Sequence, residues 1–329
     1  MTIDHAHSHP PHGGGASASG RVPGSVPGGE TGSAMSETAI TDIAFDNVCI
    51  VAHHTRADVG ALVAALSGRL GALGRHVWMP VADAAAHGVT SLGSDRSPRD
   101  ADLVVVLGGD GTVLRAVSLI DGAPIPVLGI NVGTVGYLTE ITPDRAVAAI
   151  EALCGESRSG VTLDERMMLG VRVVAGASTG ATWRALNEVV LEKQQSGHTV
   201  WIDVRINDEL FEGYSADGII IATPTGSTAY SLSARGPVVS PRHRALVVTP
   251  VSAHMNFDRS LVLDPSESLT MTVTGTRPVD VVVDGRKTAT LEVGTRVEFA
   301  PDTCTVRFVR FGAPRFHQIL RTKFAGLPE

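Results

Sequence analysis

The chain has 329 residues, of which 43% are hydrophobic and only 4% aromatic, and its formal net charge is -7. That length supports two cores, since single domains usually hold roughly 100–200 residues, and their packing must rest on Val, Leu, Ile and Ala. The acidic balance excludes a broad electrostatic footprint for nucleic acid, and no apolar run approaches the roughly 18 residues of a membrane span.

Cys49, Cys154 and Cys304 lie far apart without metal-ligand spacing, and the amino terminus lacks the pattern of a secretory leader, so a cytoplasmic protein is expected. Residues 1–45 are rich in Gly, Pro, Ser, Ala and His with almost no periodic apolar positions, so they are expected to form a disordered arm. His5, His7, His9 and His12 in that arm are too flexible an array for a specific metal site. Met35 offers an alternative start. An α/β domain is expected over 46–160. Residues 48–52 read as a buried strand, Val59, Leu62, Val63, Leu66, Leu70 and Leu73 recur at helical spacing, and residues 76–79 begin a second strand.

After a polar connection over 91–102, the apolar run 104–107 empties into Gly108-Gly109-Asp110-Gly111-Thr112. A buried strand ending in such a turn presents backbone N–H groups, and glycine lets the backbone approach a phosphate without a Cβ in the way. The helix that follows from about Thr112 adds the positive end of its dipole. Asp110 is then a lone anion in a site suited to anions. Phosphoryl transfer needs such a group, because the attacking hydroxyl must lose its proton. The alternative is a tight turn in which Asp110 caps the helix. Residues 124–131 read as the next strand, 132–138 as a second glycine loop around Gly133 and Gly136, and 146–153 as a short closing helix. Right-handed crossovers then give a parallel sheet with both glycine loops at its carboxyl edge. A G-x-G-x-x-G fingerprint is absent, which excludes the ordinary dinucleotide turn.

From 161 to 311 short alternating segments suggest an antiparallel, sandwich-like all-β domain. The tail, 312–329, carries Phe316, Ile319, Leu320 and Phe324 at helical spacing and is expected to dock back on the α/β domain. Within the β half, Asn187-Glu188 sits in an apolar run, where an unpaired ion costs roughly several kcal/mol. A ligand, or an arginine such as Arg166 or Arg184, must meet Glu188, and the two neighbours reach one ligand only if the strand bends or ends there. A second stretch, Thr223-Pro224-Thr225-Gly226-Ser227-Thr228-Ala229-Tyr230-Ser231-Leu232-Ser233, follows a buried strand that starts from Asp217-Gly218. Its hydroxyls suit phosphates and polar edges, and Tyr230 offers a ring face for a base. Val283-Asp284-Gly285-Arg286 reads as a hairpin turn.

In that order, the 108–112 turn, Asn187-Glu188, and Asp217-Gly218 leading into 223–233 resemble the NAD kinases over about residues 47–325. Diacylglycerol and sphingosine kinases and phosphofructokinases carry related turns but not the ordered set, and Val113-Leu114-Arg115-Ala116 departs from the lipid-kinase pattern. The resemblance implies an α/β amino-terminal domain, an all-β carboxyl-terminal domain and a site in the cleft between them. It implies transfer of a terminal phosphoryl group, from ATP or inorganic polyphosphate, to the adenosine-ribose 2′-hydroxyl of NAD, giving NADP. By matching motif positions, Asp110 is the general base beside Gly111, and Gly108, Gly109, Gly111 and Thr112 surround the donor phosphates. Asn187 and Glu188 hold the diphosphate-ribose region of NAD; Thr228, Ala229, Tyr230, Ser231, Leu232 and Ser233 meet its two ends; Asp217 reaches it across a subunit interface. Arg115, His198, Ser215 and Arg286 stand where the family often has further ligand contacts. The resemblance also implies Mg²⁺ arriving with the donor, no nucleic-acid or membrane partner, and a homodimer or homotetramer. A silent NAD-binding sensor and a lipid kinase are the competing readings, and a pure binder has no need of Asp110.

Overall fold

The computed structural model describes residues 37–40, 43–56, 58–133, 136–155, 158–254, 257–312 and 316–324. Met35 and the four amino-terminal histidines lie outside them. The first half contains β1 (Glu37–Ala39), β2 (Asn47–Ala52), α1 (Val59–Ala72), β3 (His76–Pro80), α2 (Val81–Ala86), β4 (Gly93–Ser94), β5 (Leu103–Gly108), α3 (Asp110–Ile120), β6 (Pro126–Asn131) and α4 (Ala146–Cys154). The second contains β7 (Val161–Ala175), β8 (Thr182–Ala185), β9 (Glu188–Glu192), β10 (Val200–Ile206), β11 (Glu209–Ala216), β12 (Gly218–Ala222) and α5 (Tyr230–Ser233). It continues through β13 (Leu246–Val251), β14 (Leu261–Leu263), β15 (Leu269–Thr274), β16 (Val279–Val283), β17 (Arg286–Leu291), β18 (Arg296–Phe311) and α6 (Phe316–Phe324).

The central parallel strands β2, β5 and β6 are buried almost throughout because helices cover both of their faces. On one face Val63, Leu66 and Leu70 of α1 and Ile150 and Leu153 of α4 pack on Ile50, Val105 and Leu128. On the other, Val113, Ala116, Val117 and Ile120 of α3 pack on Val51, Val104 and Val106. Successive β5 residues thus enter different cores, as the twofold alternation of a strand requires. Gly108 at the end of β5 lies opposite Asn131 at the end of β6, so the two glycine loops leave the same sheet edge side by side.

The β half is a sandwich. A six-stranded antiparallel sheet, β14-β13-β12-β9-β16-β17, places Val189, Leu191, Ile219 and Ile221 against Val171, Ile202, Val204 and Met271 of the facing sheet. That facing sheet does not stop at the expected boundary near 160. Its order, β11-β10-β15-β18-β6-β5-β2-β3-β4, runs through both halves, because the sixteen-residue β18 pairs antiparallel with β7 and β15 and parallel with β6.

One local expectation is corrected. The arm does not extend to residue 45: Glu37–Ala39 pairs with residues 162–164 of β7, and Ile40 and Phe45 are buried. Isolated apolar residues without periodicity gave no strand signal, yet a neighbouring strand supplies the missing backbone partners. The six-residue α2 was too short for helical periodicity to register. Within the tail, Phe316–Phe324 forms α6, and Lys323 Nζ lies 4.0 Å from the Tyr137 ring centroid in the second glycine loop.

Candidate active site

Asp110 opens α3 but does not cap it. Its Oδ2 accepts the Tyr137 N–H at 2.9 Å and its Oδ1 the Leu138 N–H at 3.0 Å, so it clamps the second glycine loop instead. A Cβ at Gly136 would overlap Asp110 Oδ1, which explains the glycine there. Gly108 is likewise occupied, lying under the buried Thr112 side chain. Gly109 and Gly111 are different. A Cβ on either would meet no atom within 4 Å, and neither has a positive φ, so the fold itself does not ask for glycine at these positions. Both border a cavity of about 500 Å³ that is also lined by Thr112, Asn131, Arg56, His53, His54 and Arg115. Glycine backbone, a helix amino terminus and two guanidinium groups thus face one cavity, a combination suited to anions.

Arg115 is fixed by a residue that the sequence did not single out. Asp83 of α2 is fully buried and takes both arms of Arg115, at 2.8 and 2.6 Å, the Ala52 N–H at 2.8 Å and His54 Nε2 at 2.7 Å. Burial pushes its carboxyl upward, but the hydrogen bonds from Arg115, Ala52 and His54 outweigh that and hold it below the usual carboxylate range. Removing one partner of a buried pair leaves a stranded charge. Asp83→Asn is therefore expected to cost about 3 kcal/mol in urea unfolding. Because the folded pKa is depressed, this stabilisation is present above the ordinary carboxylate pKa and is lost as pH falls through the folded one. The variant should accordingly show a shallower acid-unfolding curve than the parent.

On the facing half, Glu188 begins β9 and Asn187 precedes it, so the pair stands at the end of the strand, where two neighbours can meet one ligand. The hairpin turn of Asp284 (φ 46°) and Gly285 (φ 76°) has a second use. Asp284 Oδ2 accepts from Leu186 N at 2.9 Å, and Oδ1 from Asn187 N at 2.8 Å and Glu188 N at 3.2 Å. Glu188 is only 6% exposed; it takes the Tyr230 backbone N–H, and its Oε2 has no partner. Burial first, and the Asp284 charge second, push its carboxyl up to about 7. Neither candidate arginine meets it: Arg166 pairs with Asp164, and Arg184 with Asp121 and Asp302.

The 223–233 stretch docks on Asn187. Thr223 N donates to the Asn187 carbonyl at 2.8 Å, and a Cβ at Gly226 would overlap that carbonyl. Many of its hydroxyls are consumed internally. Thr223 Oγ1 donates to Leu186 O at 2.6 Å and Ser227 Oγ to Pro224 O at 2.7 Å, while Ser231 Oγ bonds Thr249 Oγ1 at 3.1 Å. Tyr230 and Ser233 are exposed, and Thr228, Ala229 and Leu232 half-buried. Asp217 pairs with Lys193, Ser215 Oγ donates to Thr199 Oγ1 at 3.3 Å, and His198 is exposed. A cavity of about 250 Å³ joins the halves, bounded by Gly111 and Leu114 of α3 and by Asp284 and Arg286 of the hairpin. Among the described residues no three His, Cys, Asp or Glu side chains gather as metal ligands, and no helix is long and apolar enough to cross a membrane.

The ATP-NAD kinase N-terminal domain family matches residues 75–157, and the ATP-NAD kinase C-terminal domain family residues 186–311. A NAD kinase of Heliobacterium modesticaldum is 39% identical over 227 residues, 68% of this chain and 79% of the relative. One of Symbiobacterium thermophilum is 38% identical over 261 residues, 78% and 91% of the two chains. In fold, the chain is similar to yeast NADH kinase complexed with NADH, with a TM-score of 0.78 at 24% identity over 87% of this chain and 90% of that one. It is also similar to an NAD kinase from Archaeoglobus fulgidus in complex with ATP, with a TM-score of 0.63 at 22% identity over 86% and 100%. With both domain families matched in order and relatives covered over 79% and 91% of their length, the chain belongs to the NAD kinase family.

Proposed function

We propose that Asp110 is the general base of this kinase. Its carboxylate takes the proton of the adenosine-ribose 2′-hydroxyl of NAD as that oxygen bonds to the terminal phosphorus of ATP or inorganic polyphosphate. The bond from phosphorus to the donor's bridging oxygen breaks, and NADP leaves with the new phosphate. The observation that carries this reading is the mounting of Asp110 on the Tyr137 and Leu138 N–H groups. Each oxygen keeps a free lone-pair direction, so the carboxylate is oriented and still able to accept. The donor lies in the cavity beside Gly109 and Gly111 with Arg56 and His54, and Arg115, steadied by Asp83, faces the same cavity. NAD lies across Asn187, Glu188 and the outer face of 228–233.

The divalent cation that this reading implies is Mg²⁺ carried by the donor phosphates. Asn131 Oδ1, buried on the cavity wall without a hydrogen-bond partner, is a hard oxygen donor that would help hold such a cation. When bound, the cation neutralises phosphate charge. A homodimer or homotetramer in the cytoplasm completes the reading, since Leu210 and Phe211 are exposed on the edge strand β11 and Trp201 on its neighbour β10, a surface that a second copy would cover. NADP formation from NAD, Mg²⁺ and either ATP or polyphosphate, read through an NADP-specific dehydrogenase, tests the reaction and identifies the donor. No product with either donor overturns it.

Glu188 gives the reaction a pH signature. Ribose hydroxyls donate to a carboxylate, so NAD affinity is expected to fall as pH drops below about 7, by up to about tenfold per pH unit. In ligand-free protein the sign is reversed. A raised carboxyl pKa favours the fold most below the unfolded value, and that contribution is lost as pH rises through the folded one. Calorimetric titration of NAD between acid and neutral pH should show this slope in the parent and a flat profile in Glu188→Gln.

A further inference from the structure

Four charged side chains between the second glycine loop and the 223–233 stretch take no part in the chemistry above. Asp164 and Arg166 of β7 are buried, and Arg310 and Glu140 keep only 13% and 14% of their side-chain surface. Arg166 Nε donates to Asp164 Oδ2 at 2.9 Å, and its Nη1 reaches Thr225 Oγ1 at 3.4 Å. Arg310 Nε donates to the same Asp164 oxygen at 3.2 Å. Its Nη1 faces both the Leu138 carbonyl and Glu140 Oε2 at 3.4 Å, and Glu140 Oε1 accepts the Phe311 N–H at 3.3 Å.

Leu138 is also the residue whose N–H holds Asp110. A continuous set of polar contacts therefore runs from Asp110 through Leu138, Arg310, Asp164 and Arg166 to Thr225, none longer than 3.4 Å. The two cations and two anions balance, so the set adds no net charge to attract an anionic substrate. Apolar side chains of similar volume would hold the strands together at least as well. What they would not do is fix the direction of a carbonyl, and a planar guanidinium that donates in two directions does. Arg310 is also placed for this, near the end of the strand that joins the two halves of the large sheet.

We propose that Arg310 is a positioning residue: it sets the angle of loop 136–140, hence of Asp110, relative to the Thr225 loop that carries the acceptor nucleotide. The proposal rests on the reading of Asp110 as general base. Its content is that the two loops are held in register by a salt-bridged relay, so that base and hydroxyl meet without further adjustment. Small misplacements of a catalytic group cost rate rather than affinity.

The test uses the full chain carrying Arg310→Lys, with Arg172→Met as control. Arg172 pairs with Glu298 across the same two strands but on the exposed surface. Lysine keeps the charge and reaches Asp164 but lacks a second arm for Leu138 and Glu140. The expected result is a fall in kcat of roughly ten- to a hundredfold, little change in KM for NAD, a melting temperature close to that of the control, and faster amide exchange in the peptide spanning 136–140. Unchanged kcat overturns the proposal, as does a loss confined to KM for NAD or a loss of kcat without faster loop exchange. Should Arg310→Lys fail to fold, the isosteric Glu140→Gln carries the same test with the same expected direction. If Asp110→Asn keeps its turnover, the base assignment fails; an inactive Asp110→Asn beside a fully active Arg310→Lys retires the positioning role alone.

Discussion

Asp110→Asn is expected to lose roughly 10²- to 10⁴-fold in kcat, the usual contribution of a positioned base, while the protein stays folded and binds NAD. The substitution is nearly isosteric, but its amide nitrogen must face either the Tyr137 or the Leu138 N–H, both of which now donate to the carboxylate. One of those backbone groups loses its acceptor, at a cost of about 1–3 kcal/mol. A modest drop in melting temperature should therefore accompany the catalytic loss. The enzyme-coupled assay gives the first quantity and a thermal melt with calorimetric NAD titration the second. A variant with the modest melting shift and near-normal turnover would leave Asp110 as a loop clamp and remove it from the chemistry.

Two glycines of similar appearance in the sequence are expected to respond in opposite ways to alanine. At Gly226 the new Cβ would overlap the carbonyl oxygen, carbonyl carbon and Cα of Asn187. These are backbone atoms already tied to Thr223 and Asp284, so no side chain can swing aside. Gly226→Ala should destabilise by about 3 kcal/mol or more, the upper range for overpacking, and disturb Glu188 with it. At Gly111, the second residue of α3, the new Cβ meets nothing. Helix propensity favours alanine there by about 0.5–1 kcal/mol, so the melting temperature should hold or rise. The added methyl projects beside the cavity assigned to the donor, and KM for the donor should rise roughly tenfold or more through misplacement. Donor kinetics unchanged in Gly111→Ala would move the donor out of that cavity.

This contrast marks the boundary of what the sequence conveys. Val104, Val105 and Val106 announce a strand covered on both faces, and the helical spacing from Val59 to Leu70 announces a helix above it. The glycine-rich turn, Asn187-Glu188 and the 223–233 stretch were legible as chemistry because their polar and glycine residues interrupt apolar runs at a cost that local structure does not explain. Asp83 was not legible. It sits in a six-residue helix among alanines, and nothing local distinguishes it from a surface carboxylate. Asp284 read as a turn residue and is one, but its clamp on three backbone N–H groups depends on residues nearly a hundred positions away.

The sequence by itself determined the alternation of elements and the placement of the loops at strand ends, and it singled out the residues proposed to meet a nucleotide. All of these follow from local periodicity and from the cost of burying polar groups near their neighbours in the chain. Only the tertiary structure decided which polar groups were already spent. Ser231 and Thr223 look available in the sequence and are consumed within the fold, whereas Glu188 Oε2 is left without a partner. It also decided that one sheet runs through both halves and that Asp110 is aimed by Leu138. Hydrogen-bond saturation and strand pairing are fixed by contacts between distant residues, and local pattern carries no record of them.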